Sequence, residues 1–326
     1  MTKLRLFFNL RSSFPKRFGG PESAKAADWD IPETVSYLTA GLEEIGYDVL
    51  PTEVAWPVDF GLVTPGTPIM SICEMIGGSW REAIIPMLCE SIGLQYVFSP
   101  PDVLTYTLDK HVCNLLARNL GVPVPNWALI SRGNIESVAT FQEFPIIVKP
   151  RHEGSGIGIS DDSVVWNRAK LKHRVELTLD AHDQDVIVQK YVEGEEVTVG
   201  VVGRSDTAEV FWPLAKDLRE HMVYGLDAKE VNYNAIRTTP RDRNETTQRI
   251  RSLALGLHNG LDCRDASRLD FRIDGNGVPQ FLEINPLPHL HPEIGDYCQS
   301  AYASGHTYLS LLRCLTDEAM RQGGSR

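Results

Sequence analysis

The stretch from Ser267 to Asn285 constrains this chain more than any other. Ser267-Arg268-Leu269-Asp270-Phe271-Arg272-Ile273 and Val278-Pro279-Gln280-Phe281-Leu282-Glu283-Ile284-Asn285 are flanks of alternating character. Between them Asp274-Gly275-Asn276-Gly277 are turn formers, so the pattern predicts a β-hairpin. With those residues as the loop, Ile273 pairs with Val278, Phe271 with Gln280 and Leu269 with Leu282. Side chains alternate faces along a strand. One face then carries mainly Leu269, Phe271, Leu282 and Ile284, and the other gathers Arg268, Asp270, Glu283 and Asn285. Oxygen-bearing side chains beside an arginine build a poor core, but they suit Mg²⁺, which takes hard oxygens and completes its octahedron with water and phosphate. A solvated strand face with a surface ion pair fits the same residues.

The chain's 326 residues are enough for two or three compact units with substantial cores. A net charge of −11 argues against general nucleic-acid binding. Cys73, Cys89, Cys113, Cys263, Cys298 and Cys314 show no zinc spacing, which fits reduced, mostly buried thiols in a cytoplasm. Lys3 to Leu10 is too short and too interrupted by charge for a signal peptide and reads as a buried strand. No apolar run approaches the ~20 residues of a membrane span. A soluble, cytoplasmic protein without a membrane or nucleic-acid partner is expected.

Strand and helix signals alternate over the first hundred residues: a helix over Thr34–Ile45, strands at Tyr47–Leu50 and Met70–Cys73, and a helix over Arg81–Ile92. That alternation predicts a parallel sheet with crossover helices. A second unit opens near Pro100-Pro101, with a helix over Asp109–Leu120 stopped by Gly121-Val122-Pro123. Strands are expected at Pro145–Lys149 and Ile157–Ile159, flanking a glycine-rich turn, and then at Val186–Tyr191 and Glu196–Val202. Helices are expected over Arg168–Leu179, Glu245–Asn259 and Tyr302–Met320, and Ala215–Asp242 reads as a long functional loop. The fold class is mixed, α/β followed by α+β, with domains at 1–100, 101–184 and 185–326.

Two further segments carry chemistry. In Val148-Lys149-Pro150-Arg151-His152-Glu153-Gly154-Ser155-Gly156-Ile157-Gly158, glycines let backbone N–H groups approach phosphate oxygens and the lysine adds positive charge. The flanks read as strands, so this is neither a Walker loop nor a dinucleotide fingerprint. An ordinary turn is the plain alternative. Val186-Ile187-Val188-Gln189-Lys190-Tyr191-Val192-Glu193-Gly194-Glu195-Glu196 suits an adenine slot with a ribose-binding acid, and equally a strand meeting a charged turn.

Taken in order, Asp109-Lys110, Val-Lys-Pro with its glycine loop, Gln-Lys-Tyr with Glu-Glu, Arg-x-Asp and Leu-Glu-Ile-Asn closely resemble the ATP-grasp superfamily, and more narrowly the D-alanine–D-alanine ligase group. The resemblance runs from about Ser71 to Asn285. It implies an ATP-grasp fold: an N-terminal parallel-sheet domain, a central lobe with the glycine-rich loop, and a C-terminal lobe with a magnesium site. It implies that Lys110 and Lys149 meet the nucleotide phosphates and that Glu153, Gly154, Ser155 and Gly156 fold over them. Lys190 and Tyr191 would line the adenine pocket and Glu196 would bind ribose. Lys229 would reach the transferred phosphoryl group, and Asp270, Glu283 and Asn285 would hold two Mg²⁺ ions, with Glu283 bridging. Arg268, Lys229 and Ser155 make up the implied catalytic set. The implied reaction joins a carboxylate to an amine through an acyl phosphate, with release of ADP and phosphate, in a homodimer.

The resemblance departs from the ligases where substrate would sit. Their N-terminal glycine-rich signature with its amino-binding acid is missing, and Asp28 or Asp30 stands roughly there, alternatively as an N-cap cluster. Glu230 follows the loop lysine where dipeptide-forming members carry an aromatic. Asn285 leads into Pro286-Leu287-Pro288-His289-Leu290-His291-Pro292 instead of a glycine-containing turn. His289 and His291 could serve acceptor recognition, act as a base, or pack the loop. Glu74, Arg81 and Glu82 could contact substrate from the first domain, or form a helix-start ion pair. The reading is a ligase of amino-acid-like small molecules. Its alternatives are a D-alanine–D-alanine ligase of cell-wall synthesis, a ligase to a hydroxy acid or peptide end, and a non-catalytic ATP-binding protein.

Overall fold

The computed structural model describes residues 1–55, 66–218, 221–225 and 237–321. Strands β1 (Thr2–Phe8), β2 (Tyr47–Glu53), β3 (Ile69–Ser71) and β4 (Tyr96–Val97) form a parallel sheet in the order β2-β1-β3-β4. Alternation along β1 decides its packing. Leu4, Leu6 and Phe8 point into one core with Leu38 and Leu42 of helix α1 (Pro32–Glu44), while Phe7 points into another with Ile85 and Cys89 of α2 (Ile84–Ser91). Both faces are therefore covered, as a parallel sheet requires. Helix α1 begins at Pro32, whose missing N–H costs nothing in a first turn. The helix expected over Arg81–Ile92 is a 3₁₀ turn at Arg81–Ala83 followed by α2, with Pro86 tolerated inside its first turn.

Helix α3 (Pro101–Leu108), which periodicity did not reveal, precedes α4 (Lys110–Asn119). Asp109 is the N-cap of α4 and not its first turn, its carboxylate accepting from the N–H groups of His111 at 3.0 Å and Val112 at 3.2 Å. The central sheet contains β5 (Trp127–Ile130), β6 (Ile146–Pro150), β7 (Val164–Val165) and β8 (Val186–Lys190) in the order β5-β8-β6-β7, antiparallel throughout. Helix α5 (Arg168–His182) covers one face through Leu171, Val175 and Leu179. The strand expected at Ile157–Ile159 does not form. Ser155, Gly156 and Gly158 have φ of 49°, 78° and 75°, in the left-handed region that no strand uses, and β6 pairs instead with β7.

The third sheet orders β9 (Glu195–Gly203), β10 (Glu209–Val210), β11 (Leu214–Asp217), β12 (Arg237–Pro240), β13 (Asp265–Ile273) and β14 (Pro279–Asn285) as β12-β11-β9-β13-β14, with β10 on β9. The expected loop over Ala215–Asp242 thus contains paired strands at both ends, Leu214 opposite Pro240 and Asp217 opposite Arg237. The expected hairpin of β13 and β14 is present in a different register. Ile273 faces Pro279, Phe271 faces Phe281 and Leu269 faces Ile284, with a bulge between Asp270 and Phe271. Phe281, and not Leu282, therefore enters the core beside Leu269, Phe271 and Ile284. Helix α6 (Glu245–Gly260) adds Ile250, Ala254 and Leu257 to that core, and α3 and α4 add Val103, Cys113 and Ala117.

The single C-terminal helix expected over Tyr302–Met320 is two, α7 (Asp296–Ala303) and α8 (Tyr308–Arg321), parted at Gly305 with φ of 92°. Leu311, Leu312 and Leu315 of α8 return to the first sheet and pack with Leu4, Leu6 and Leu42. Units contiguous in sequence are thus interleaved in space, since β8 lies beyond the expected 184/185 division yet pairs within the central sheet. Among the described residues no helix is long and apolar enough to cross a membrane.

Candidate active site

The central sheet presents Lys149 to the third sheet by simple alternation. Ile146 and Val148 of β6 enter the α5 core, so Ile147 and Lys149 face the other way and line a cavity of about 90 Å³. Burial, then the charge of Lys110, pushes the Lys149 ammonium down to about 8, against the pull of Glu283 and Glu196. Lys110 opens α4 and donates through Nζ to the carbonyl of Glu153, while its N–H meets the Arg151 carbonyl at 3.1 Å. Arg151 binds Asp109 at 2.6 Å. Burial would raise the Asp109 carboxyl, but hydrogen bonds from His152 and Arg151 hold it well below the usual range. Glu153 accepts from Gln184 Nε2 at 2.6 Å, fixing the entry to the glycine turn. A Cβ on Gly158 would lie 2.6 Å from the Pro150 ring and 2.5 Å from His182, so the turn can close only with glycine there.

Across the cavity the register of β13 and β14 sets Asp270 opposite Glu283 and Arg268 opposite Asn285. Arg268 Nη2 lies 3.0 Å from Asp270 and 3.4 Å from Glu283. Burial opposes its charge, but Asp270 and Glu283 hold the guanidinium above its ordinary value. Asn285 Oδ1 accepts from Leu287 N–H at 2.8 Å. The bulge leaves Leu282 beside Glu283 on the cavity wall. Among the described residues no three His, Cys, Asp or Glu side chains are grouped to hold a metal by themselves. The oxygen set here is two carboxylates and one amide, which needs outside ligands to fill a coordination sphere.

Arg272, in this wall, and Lys216, which pairs with its carboxylates, were not among the sequence candidates. Arg272 Nη2 pairs with Glu196 at 3.1 Å, Nη1 donates to Val192 O at 3.0 Å, and the guanidinium lies 4.8 Å from the Tyr191 ring centroid. Lys216, on β11, reaches Asp296 at 3.2 Å, Asp270 at 3.5 Å and Glu196 at 3.7 Å. Lys216 lies in the stretch read as a loop, and Arg272 carries no motif of its own. Tyr191 is buried and donates its hydroxyl to Met222 O at 2.7 Å. Lys190 lines the cavity, but its ammonium turns out to Glu143 at 3.2 Å.

A second cavity, of about 340 Å³, opens beside the first and is lined by Asp28, Asp30, Glu74, Ser155, Asn285 and His289 among others. Arg81 is absent from that wall. It is 5% exposed, holding Asp28 at 2.9 Å and His152 O at 2.8 Å, so it brackets the first domain to the glycine loop. Gly154 lies against Asp28, where a Cβ would stand 3.1 Å from Oδ1. Burial, then Glu82 and Asp28, raises the Glu74 carboxyl well above its ordinary value, and burial raises Glu82 as well. His289 Nε2 lies 3.4 Å from Asp30 and 3.3 Å from Thr34 Oγ1. His291 is buried, its Nδ1 accepting from Glu293 N–H at 3.2 Å, and it packs the loop. Lys229 and Glu230 lie outside the described residues.

A parallel-sheet domain followed by two sheets that enclose a lysine-and-carboxylate cleft is the ATP-grasp architecture. Residues 116–317 match the family described as the D-ala D-ala ligase C-terminus. The D-alanine–D-alanine ligase of Fervidobacterium nodosum is 30% identical over 249 residues, covering 72% of this chain and 77% of that one. The uncharacterized protein y4sG of Sinorhizobium fredii is 30% identical over 324 residues, covering 94% and 93%. In fold, the Bacillus anthracis D-alanine–D-alanine ligase complexed with ATP superposes with a TM-score of 0.76 at 18% identity, covering 99% of each chain. The VanG D-Ala:D-Ser ligase of Enterococcus faecalis gives 0.77 at 17% identity, covering 98% and 99%. The chain belongs to the D-alanine–D-alanine ligase family: it is an ATP-dependent carboxylate–amine ligase that forms a peptide-type carbon–nitrogen bond.

Proposed function

We propose that ATP binds between the central and third sheets, with its phosphates against Lys149, Lys110 and the Glu153–Gly156 turn. Its base lies beside Tyr191 and the backbone of Lys190, and its ribose on Glu196. One observation carries this reading: Lys149 from one sheet and Arg268, Asp270 and Glu283 from the other line a single cavity. Mg²⁺ suits the donor set, because Asp270, Glu283 and Asn285 offer only hard oxygens and leave coordination positions for phosphate and water. Glu283, whose side chain is 41% exposed against 6% for Asp270, would be the more accessible of the two carboxylates to such ions. When bound, the ions neutralise charge on the transferring phosphoryl group.

An oxygen of the donor carboxylate attacks the γ-phosphorus, the bond to the ADP oxygen breaks, and an acyl phosphate forms. The acceptor amine then attacks the acyl carbon and loses a proton, and the carbon–oxygen bond to phosphate breaks. Lys149 and Lys110 hold the phosphoryl oxygens, with Lys229 assigned to the same group, and Arg268 stabilises the tetrahedral oxyanion. Ser155 closes the turn over the reacting carboxylate and keeps water from it.

The substrates are amino-acid-like. Asp28 is committed to Arg81, which leaves Asp30 as the carboxylate for a substrate ammonium, supported by Glu74. His289, tied to Asp30, orients the acceptor, and Glu230 contributes to its selection. A cytoplasmic setting accords with free cysteines, of which Cys73, Cys89, Cys113, Cys263 and Cys298 are buried.

A donor labelled with ¹⁸O in its carboxylate tests the route: each turnover is expected to deliver label into the released phosphate, and unlabelled phosphate would overturn it. Asp270→Asn is expected to lower turnover on the order of 10²–10³-fold. The variant should still fold, with a lowered melting temperature because Asp270 is a countercharge of buried Lys216 and Arg268.

A further inference from the structure

Lys216 is a buried cation that none of the roles above uses. On β11 it shares a buried face with Leu214, and its side chain is 1% exposed. An isolated ammonium cannot be kept so far from water without countercharge. Among the described residues the countercharge comes from Asp296 Oδ2 at 3.2 Å, Asp270 Oδ1 at 3.5 Å and Glu196 Oε1 at 3.7 Å, and the ring of Tyr224 lies 4.3 Å away. These carboxylates belong to different parts of the site. Asp270 is assigned to the metal and Glu196 to the nucleotide. Asp296 opens α7 and lines the larger cavity. The second oxygen of Asp270 already faces Arg268 at 3.0 Å, so both of its oxygens meet cations supplied by the chain.

We propose that Lys216 is a resident cation of the active site that faces Asp270, Glu196 and Asp296 and restrains the affinity of Asp270 for a divalent ion. The inference rests on the reading of Asp270 as a metal ligand. An ammonium this close opposes an added divalent charge through a poorly screened medium, so removing it strengthens ion binding. A merely structural lysine has the opposite signature, since its loss would loosen the carboxylates and weaken the ion.

Mn²⁺ binding to the full chain, followed by electron paramagnetic resonance, separates the cases. Lys216→Met and Lys216→Gln are expected to bind Mn²⁺ on the order of tenfold more tightly than the parent. Lys216→Arg keeps the charge and should stay close to the parent, while Asp270→Asn should lose binding. Equal or weaker binding by folded Lys216→Met, with binding lost in Asp270→Asn, overturns the role of Lys216 and leaves the metal assignment standing. Parent-like binding by Asp270→Asn overturns the assignment itself. If neither neutral variant folds, Asp296→Asn reads the same coupling from the other side. With one partner gone the ammonium bears more fully on Asp270, so Mn²⁺ should bind more weakly, and unchanged affinity would overturn the proposal.

Discussion

Lys149 carries an ammonium whose proton is held less firmly than usual, because burial and Lys110 push it down to about 8. Two consequences follow with opposite signs. The protonated form is the one that pairs with phosphate, so KM for ATP is expected to rise as pH passes from 7 through 9, and the rise should vanish in Lys149→Arg, whose guanidinium keeps its charge. A flat KM across that range in the parent would contradict the placement. For stability, the unfolded lysine keeps its proton up to about 10.4, so between about 8 and that value the unfolded chain holds more protons than the folded one. This residue alone therefore makes the fold more stable with rising pH in that window. Arg81 is engaged within the fold. Its type and position suited substrate contact, yet it is consumed by Asp28 and the His152 carbonyl, a pairing between segments far apart in sequence that no local pattern reveals.

The hairpin of β13 and β14 shows what element-scale patterns can and cannot supply. Alternation and the Asp274–Gly277 turn formers were enough to read a hairpin and to place Arg268, Asp270, Glu283 and Asn285 on one face. The bulge was illegible, because an extra residue conserves alternation on either side and only the partner strand exposes the slip. It exchanges the duties of Phe281 and Leu282, and this can be measured. Phe281→Ala should cost about 3–5 kcal/mol of unfolding free energy, read from denaturant midpoints. Leu282→Ala should cost far less and raise KM for ATP instead, since Leu282 lines the cavity proposed for the nucleotide. Strand β11 was misread for a related reason. Lys216 reads as polar in sequence and is buried only because carboxylates from β9, β13 and α7 surround it.

At the scale of the molecule, the order of the motifs was legible along the chain and the interleaving of the units was not. Helices α3 and α4 join the core of the third sheet, β8 completes the central one, and α8 returns to the first. These are long-range contacts, and each element's own pattern says only that one face is apolar. The return of α8 makes the first domain dependent on the chain's other end. Gly41 of α1 sits where a Cβ would come within 2.6 Å of Leu312, so the helices meet closely. Leu312→Ala is expected to destabilise the fold by about 2–5 kcal/mol, seen as a lowered melting temperature. ATP cleavage and amide formation are coupled in the cleft proposed between these units. The most direct measurement is release of ADP and phosphate with Mg-ATP across a panel of amino-acid pairs, D-alanine included, with product masses read in the same samples. A productive pair is expected to yield equal amounts of ADP, phosphate and a product whose mass is that of the two substrates less one water. ADP release without such a product, or no pair that stimulates it, would overturn the proposed function.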